Sequence, residues 1–183
     1  MENLGTLTLK LNRITLRKFY LEDAFFMFKN WANSSKVTKY LRWKPHQTEE
    51  QTKDVINSWV KNYKEQNFYQ WAIVLNKINQ PIGSITAIIK ENETAHIGYC
   101  LGEKWWGKGI ATETLKGVID FLFEKVKVNR IESQHAPENI ASGKVMQKCG
   151  LKYEQTLKQA DFNNLGKCDA VVYGLLKEEY IKA

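Results

Sequence analysis

The feature of this 183-residue sequence that most limits its fold is a run of three strand-like segments joined by short polar turns. The segments are Tyr69–Leu75, residues 81–90 and Thr94–Leu101, and the turns cover only residues 76–80 and 91–93. Connections this short join antiparallel neighbours but cannot hold the helical crossover that parallel strands need. The middle of the chain therefore predicts an antiparallel meander.

Helical and strand-like patterns flank the meander on both sides. Before it lie strand patterns at residues 7–11 and Ile14–Arg17, a helical pattern over residues 21–32, and a helix over residues 48–67 that opens with a capping box at Thr48 and Gln51. After it come a helix over residues 111–122, a strand at Arg130–His135, a helix over residues 139–149 that Gly150 ends, and two strands, 151–157 and 168–176, around a loop at 161–167. This order predicts one α/β domain over residues 1–183, with a mixed, mostly antiparallel sheet and flanking helices.

The composition is that of a folded protein with a basic surface. The formal net charge is +7, and 43% of the residues are hydrophobic. A nucleic-acid-binding module would need a helix-turn-helix, aromatic-basic strands or a clustered basic face. The lysines and arginines are instead interleaved with acids along the chain, which favours a solvated basic surface and no direct nucleic-acid partner.

Cysteine and histidine usage gives further expectations. The three cysteines lie far apart without a Cys-x-x-Cys pair, which favours reduced thiols and a cytoplasmic location. The three histidines are isolated and lack metal-ligand spacing, so we expect no metal. No basic segment followed by an apolar one opens the sequence, and no apolar run approaches a membrane span, so we expect neither a signal peptide nor a membrane contact.

A glycine-spaced turn links the meander to the next helix. The stretch Glu103–Glu113 reads EKWWGKGIATE, with Gly107 and Gly109 immediately before the predicted helix. A helix N-terminus offers unpaired N–H groups and a partial positive charge, and glycines let a phosphate approach the backbone. The same glycines also suit a plain strand-to-helix turn, so the turn alone leaves both interpretations open.

Two common phosphate loops do not match this turn. It lacks the Gly-x-x-x-x-Gly-Lys-Ser/Thr pattern of the nucleotide P-loop. It also lacks the third glycine of the dinucleotide fingerprint, and it follows a meander where that fingerprint opens a strand–helix–strand unit.

The loop and helix start resemble the Gln/Arg-x-x-Gly-x-Gly/Ala acetyl-CoA pyrophosphate loop of the GNAT N-acetyltransferase superfamily. Gly109 and Ala111 take the two small positions, and Trp106 stands where Gln or Arg is usual. That departure is similar to the ribosomal-protein (Rim-type) branch, whose loop commonly reads Trp-Gly-Lys-Gly. We expect Trp106 to brace the turn against the sheet and Trp105 to shield the same edge.

A second block about thirty residues downstream strengthens the resemblance. Residues 139–151 read NIASGKVMQKCGL, similar to the branch's Asn-x-x-Ser-x-x-Val/Leu…Lys-x-Gly-Phe/Leu signature. Residues 97–99 and 157–160 also look like the branch, so the resemblance covers residues 11–176. It implies a GNAT-like fold and acetyl-CoA as co-substrate.

The resemblance also implies which residues bind the cofactor. The backbone of the strand before the loop would pair with the pantetheine arm, one of its amides would face the thioester oxygen, and the loop amides would hold the pyrophosphate. Asn139, which also suits a helix N-cap, and Ser142 share a helix face and would both reach the arm. The implied cofactor-binding residues are Tyr99, Cys100, Leu101, Gly107, Lys108, Gly109, Ile110, Ala111, Thr112, Asn139 and Ser142.

The catalytic residues implied are Ser142, Asp161 and Glu154. Ser142 would hydrogen-bond the leaving thiolate, and Asp161 falls at an acidic position of the branch that serves as general base. Glu154 is the reserve base, next to Gln155, which replaces the glycine usual in the family. Both acids also suit solvated loop or strand-edge positions.

The function expected is transfer of an acetyl group from acetyl-CoA to a primary amine by direct attack in a ternary complex. The acceptor is a protein N-terminus, such as that of a ribosomal protein, or a small amine. Its pocket is expected between the N-terminal helices and the loop at residues 161–167. The alternatives are a catalytically silent acyl-CoA-binding sensor and, with less support, a basic nucleic-acid-binding module. The sequence leaves the oligomeric state open, a homodimer included.

Overall fold

The computed structural model describes residues 1–180, which form a single eight-stranded sheet with helices on both faces. The strands are β1 (Leu9–Lys10), β2 (Ile14–Arg17), β3 (Tyr69–Leu75), β4 (Gln80–Ile89), β5 (Thr94–Leu101), β6 (Arg130–His135), β7 (Lys152–Asn163) and β8 (Gly166–Leu176). The helices are α1 (Asp23–Met27), α2 (Ser35–Thr38), α3 (Glu49–Asn62), α4 (Ile110–Phe121) and α5 (Ile140–Lys148). Wider π-helical turns continue α1 over Phe28–Ala32 and α4 over Leu122–Val126.

The spatial order of the sheet is β1-β2-β3-β4-β5-β6-β8-β7, and all neighbours are antiparallel except β5 and β6. This confirms the predicted mixed, mostly antiparallel sheet with its meander, β3–β4–β5. The parallel step follows from α4, which crosses one face between β5 and β6 and so returns the chain in the same direction.

Alternate residues of β3 face two different cores. Trp71 and Ile73 pack with α4 residues such as Leu115 and Val118 in the larger core. Ala72 and Val74 point to the opposite face, where α1, the π-helical turn that continues it and α3 cover them with side chains that include Trp31 and Ile56. Burial on both faces explains why β3 is apolar at almost every position, where a half-exposed strand would alternate.

Two sequence-based boundaries were wrong. The helix predicted over residues 48–67 ends at Asn62, although Thr48 caps it as predicted, with its side chain accepting from the Gln51 amide at 3.2 Å. The loop predicted at residues 161–167 is a two-residue turn, because β7 continues to Asn163 and β8 already begins at Gly166. The Asn163 side chain accepts a hydrogen bond from the Leu165 amide at 2.8 Å, and Gly166 has φ +112°, which together tighten this turn.

Candidate active site

The site begins where β5 and β6 separate. The two strands pair only over Thr94–His96 and Arg130–Glu132, after which β5 runs on to Leu101 bonded to β4 alone. The Ser133 hydroxyl closes the end of the paired region by donating to the Ile97 carbonyl at 2.7 Å. Beyond that point the sheet is open between the two strands, and a ligand can reach the backbone of β5.

A cavity of about 620 Å³ occupies this opening. Four parts of the chain line it: the segment around α2 (Lys36 to Leu41), the end of β5 (Tyr99 to Leu101), the loop into α4 (Trp105 to Thr112) and the start and face of α5 (Glu138 to Lys148). All the predicted cofactor-binding residues except Lys108 therefore lie on one continuous wall. Lys108 sits beside it, with its ammonium donating to the Lys104 carbonyl at 2.8 Å.

The glycine turn has the geometry of an anion-binding loop. Gly107 and Gly109 have φ of +71° and +73°, a left-handed conformation that disfavours other side chains. A Cβ added at Gly107 would meet no atom of the described chain within 4 Å, so the space beside this backbone is open. Gly109 is also the N-cap of α4, and no side chain among residues 1–180 caps that helix. The first amides of α4 thus face the cavity without a side-chain partner.

Arg13, to which the sequence analysis assigned no role, fixes this loop. Its Nε and backbone N donate to the two carboxylate oxygens of Glu113, each at 2.7 Å, and its Nη1 donates to the Lys108 carbonyl at 2.8 Å. These bonds join the β1–β2 turn to both the loop and the first turns of α4. Arg13 therefore holds the glycine loop from the side away from the cavity, and the side of the loop that faces the cavity stays clear.

Trp105 and Trp106 lie in different environments. Trp105 is buried in the larger core, where its ring would lie 2.7 Å from a Cβ added at Gly102. Trp106 is 43% exposed and lines the cavity, and its indole Nε1 donates to the Leu101 carbonyl at 2.6 Å. The Trp106 indole thus braces the turn against the end of β5.

Asn139 is the N-cap residue of α5, but its side chain does not cap the helix. Within the described residues, the Asn139 amide makes no capping hydrogen bond. Its carbonyl accepts the Ser142 amide at 3.1 Å, and the side chain lies on the cavity wall. The Asn139 side chain therefore does not serve as a helix cap, and its amide is available to a ligand.

Ser142 and Tyr99 form a hydroxyl pair on the cavity wall. The Tyr99 Oη lies 3.0 Å from the Ser142 Oγ and 3.1 Å from the Ser142 carbonyl. Burial raises the pKa of the Tyr99 hydroxyl, so this group stays protonated at neutral pH. The tyrosine proton can be donated to either serine oxygen. The sequence analysis gave Tyr99 a role only through its backbone, because the partner of its side chain lies 43 residues away.

The Asp161 carboxylate is not on the cavity wall, but it binds Arg42, which directly follows the wall residue Leu41. It accepts hydrogen bonds from Arg42 Nε at 2.8 Å, Gln134 Nε2 at 2.6 Å and the Phe162 amide at 2.8 Å. The Asp161 side chain is 15% exposed, whereas the Arg42 side chain is 58% exposed. The guanidinium is therefore the partner that an incoming cation can replace.

The structure separates Glu154 from the site. Its carboxylate forms a bidentate pair with Arg130, with oxygen–nitrogen distances of 2.7 and 2.5 Å, and packs on Gly174. This pair occupies both carboxylate oxygens away from the cavity, so the structure does not support Glu154 as reserve base. Glu138, which sequence reasoning missed, is the one carboxylate residue that lines the cavity within the described part of the chain.

Comparison with known proteins agrees with this geometry. The family model described as an acetyltransferase (GNAT) domain matches residues 13–152, which include the meander, the glycine loop and α5. The chain belongs to the GNAT acetyltransferase family. This confirms the fold and the acetyltransferase family predicted from the loop and the Asn-x-x-Ser helix.

Curated relatives include proteins named as uncharacterized N-acetyltransferases and as ribosomal-protein acetyltransferases. An uncharacterized N-acetyltransferase, p20, of Bacillus licheniformis is 34% identical over 175 residues, covering 94% of this chain and 98% of its own. The ribosomal-protein-serine acetyltransferase of Escherichia coli is 30% identical over 148 residues, covering 79% of each chain.

Solved GNAT structures superpose over nearly the whole chain. An acetyltransferase of the GNAT family from Bacillus anthracis has a TM-score of 0.82 at 28% identity and covers 94% of this chain and 99% of its own. RimL, a ribosomal L7/L12 α-N-protein acetyltransferase solved with coenzyme A, has a TM-score of 0.83 at 20% identity and covers 93% and 98%. At 20% identity, the likeness to RimL shows only that the two proteins share a fold.

Two distant parts of this GNAT domain are joined beside the cavity. The Asn164 side-chain amide, in the β7–β8 turn, donates to the carbonyls of Thr38 at 2.9 Å and Trp43 at 2.8 Å. The Arg42–Asp161 pair makes a second connection between the same two parts. The segment after α2 and the β7–β8 turn therefore form one continuous rim.

The surroundings of the three cysteine thiols in this GNAT domain raise their pKa values and so favour the protonated form. Burial raises the pKa of Cys100, which lines the cavity and lies 3.4 Å from the Ser84 hydroxyl. It also raises the pKa of Cys149 to about 12. Burial together with the nearby Asp161 raises the pKa of Cys168. Each thiol is therefore a poor thiolate nucleophile at neutral pH.

Over residues 1–180 the structure shows no group of three or more His, Cys, Asp or Glu side chains placed to hold a metal ion. The helices in that same span are all too short or too polar to cross a bilayer.

Proposed function

We propose that this GNAT protein transfers an acetyl group from acetyl-CoA to a primary amine by direct attack in a ternary complex. One observation supports this most. A single cavity joins the open amides of the glycine loop to the Ser142–Tyr99 pair, and the unengaged Asn139 amide lies on the same wall. Such a wall suits a ligand with a pyrophosphate at one end and a thioester at the other.

The residues present fit acetyl-CoA. The amides of Gly107, Gly109, Ile110, Ala111 and Thr112 would hold the pyrophosphate, with Lys108 adding charge nearby. The open edge of β5, Tyr99 to Leu101, would pair with the pantetheine arm, and one of its amides would stabilise negative charge on the thioester oxygen. Asn139 would hydrogen-bond the same arm. When bound, acetyl-CoA supplies an activated acetyl group and a thiol leaving group.

Ser142 and Tyr99 provide the proton at the leaving-group end. The Ser142 hydroxyl can donate toward the cavity while the Tyr99 hydroxyl turns from the Ser142 carbonyl to the Ser142 Oγ. The tyrosine then compensates the negative charge that develops on the serine oxygen. The raised pKa values of the three thiols support direct attack by the amine, because none of them is poised to carry the acetyl group first.

The amine must lose a proton to attack. We propose that Asp161 receives it, directly or through water, after the acceptor ammonium displaces the exposed Arg42 guanidinium. An α-amine with a pKa near 8 needs little help from such a carboxylate, whereas a lysine amine with a pKa near 10.4 needs much more. This favours a protein N-terminus or a small amine of low pKa as acceptor. The relative that acts on ribosomal protein in E. coli supports the same class.

Substitution of the carboxylates tests this assignment. Asp161→Asn is expected to lower kcat/KM by about 100-fold while acetyl-CoA affinity stays within a few-fold, since general bases contribute on this scale. Steady-state kinetics with an N-terminal peptide and calorimetry with acetyl-CoA measure the two quantities. Glu138→Gln and Glu154→Gln serve as comparison variants. An equal or larger loss in either one would move the base away from Asp161.

The arrangement around Asp161 also supports the second candidate, a silent acyl-CoA sensor. A carboxylate that already accepts three hydrogen bonds and lies off the cavity wall is a weak base if Arg42 does not leave it. The sensor and the enzyme share the cofactor site but differ in turnover.

Melting with and without acetyl-CoA, followed by an acceptor panel, separates the candidates. At 100 times its dissociation constant, a ligand adds about 2.7 kcal/mol to the free energy of unfolding. For a domain of this size we expect a rise in Tm of roughly 5–10 °C. The absence of a shift would contradict both the enzyme and the sensor and leave the nucleic-acid module. A shift without acetylation of any peptide or small amine, scored by mass, would favour the sensor.

A further inference from the structure

The segment after α2 carries positive charge along the rim. Residues 36–48 contain four basic residues and no acidic one. Lys39, Arg42 and Lys44 are exposed, and Lys39 lines the cavity. Cations therefore border the side on which the acceptor is proposed to enter. A surface of this charge attracts an acceptor that carries negative charge of its own.

The Arg42 guanidinium has one edge occupied and another free. Its Nε and Nη2 each lie 2.8 Å from the Asp161 Oδ1. Among residues 1–180 its Nη1 has no hydrogen-bond partner, and its Cζ lies 5.7 Å from the centre of the Phe162 ring. The aromatic contact holds the guanidinium in place without depending on the carboxylate. The free edge can donate to a second carboxylate, for which the planar group is well shaped.

The Asp161 carboxylate has supports that do not depend on Arg42. Gln134 Nε2, from β6, donates to its Oδ2 at 2.6 Å, and the Phe162 amide donates to its Oδ1 at 2.8 Å. The carboxylate therefore keeps its orientation when the guanidinium moves aside. Burial, Asp161 and Glu138 raise the pKa of Cys168, so both carboxylates lie within electrostatic reach of that thiol. An acceptor ammonium thus meets negative charge here, next to the positive rim.

The proposed function requires the acceptor ammonium to take the place of Arg42 on Asp161. A plain amine would exchange one ion pair for another and leave the guanidinium without an anion. An acceptor with a carboxylate beside its amine would instead form two ion pairs, its ammonium with Asp161 and its carboxylate with Arg42.

We propose that Arg42 determines acceptor specificity by binding a carboxylate that lies next to the acceptor amine. A protein N-terminus that begins with aspartate or glutamate has this chemistry, and so does a free α-amino acid. The inference rests on the proposed function and names the acceptor class of the same site.

Two pairs of acceptors that differ in one carboxylate test this specificity. One pair is a peptide that begins with aspartate and the same peptide beginning with asparagine; the other is serine and serinamide. A carboxylate next to an amine favours the ammonium form, so without Arg42 the amide member should be the better acceptor. For the wild type we expect kcat/KM to be at least about tenfold higher for the acid member of one pair, on the scale of one charge-assisted hydrogen bond. The pair that shows the preference identifies the source of the carboxylate.

Substitution of Arg42 assigns the preference to its guanidinium. In Arg42→Gln the ratio of kcat/KM values, acid over amide, should fall to about one or below. Arg42 is exposed, so the variant should fold, and its melting curve checks this. Lys44→Gln is the matched control, because Lys44 is an exposed cation of the same segment that neither lines the cavity nor pairs with Asp161. This control should keep the wild-type ratio.

The outcomes separate this inference from the proposed function. Wild-type turnover of both members of each pair at equal kcat/KM would overturn the inference and leave the proposed function standing. A preference that survives Arg42→Gln would also overturn it. So would a preference that Lys44→Gln removes equally, because this would indicate only general electrostatic attraction. Binding of acetyl-CoA without acetylation of any acceptor would overturn the proposed function as well.

Discussion

Gly109→Val is expected to abolish acetyl-CoA binding in a protein that still folds. Gly109 has φ +73° and caps α4, and a β-branched residue is strained there. A Cβ there would lie 3.5 Å from Arg13 Nη2, so the larger valine side chain would also disturb the guanidinium that holds the loop through the Lys108 carbonyl. The conformational cost, about 1–2 kcal/mol, is small against a typical stability of about 5–15 kcal/mol. Affinity should fall at least about 100-fold, since a displaced loop loses several backbone hydrogen bonds at once.

The control for this change is Gly166→Val. Gly166 also has positive φ, +112°, and a Cβ there would meet no described atom within 4 Å, but it lies in the β7–β8 turn. We expect a similar loss of stability and nearly unchanged affinity for acetyl-CoA. Thermal melting gives the first quantity and calorimetry the second. Normal binding by the folded Gly109→Val protein would show that the glycines serve only the turn.

Ser142→Ala is expected to lower turnover strongly while leaving the binding of acetyl-CoA nearly unchanged. The hydroxyl is proposed to protonate the leaving thiolate, and general acid catalysis contributes about 100-fold or more to rate. Affinity for acetyl-CoA should change less than about threefold, because Asn139 and the loop amides remain. Pre-steady-state measurement of thiol release, with calorimetry for binding, separates the two effects.

Substitution of Tyr99, whose hydroxyl contacts Ser142, tests the same proton path a second way. If Tyr99 acts through Ser142, Tyr99→Phe should slow thiol release on its own, and Ser142→Ala/Tyr99→Phe should be no slower than Ser142→Ala alone. Such non-additivity is expected of two groups that act as one unit. Additive losses would place the tyrosine outside the proton path, and equal losses of rate and affinity in Ser142→Ala would make the serine a binding residue only.

The order of the elements could be predicted because each one carries its own local signal. The meander, the Thr48 cap and the Gly150 end of α5 are all visible over a few neighbouring residues. The second half of β7 was missed because it is an edge strand. Its residues 158–163 are largely exposed on both faces, so no alternation of apolar residues marks it. A mainly polar segment beside a predicted loop then looks like part of that loop.

The residues of the site likewise fall into those with a local sequence signal and those without one. The glycine loop and the Asn-x-x-Ser helix were predictable because their chemistry lies within single short segments. Arg13, Glu138 and the Tyr99 hydroxyl were missed because their roles depend on contacts across the fold, such as the 100 residues between Arg13 and Glu113. Asp161 was found only by resemblance, and the two side chains that bind it, Arg42 and Gln134, lie 119 and 27 residues away, so no local pattern connects them.

The Asn164 amide has a consequence for how acceptor choice can change. It fastens the segment after α2 to the β7–β8 turn, so the two pieces between which the acceptor is expected to enter form one frame. That frame lies outside the glycine loop and α5, which we propose bind the acetyl donor. Insertions or exchanges in the frame can therefore alter which amine enters without disturbing the donor machinery. A single fold can in this way serve many acceptors while its chemistry stays constant.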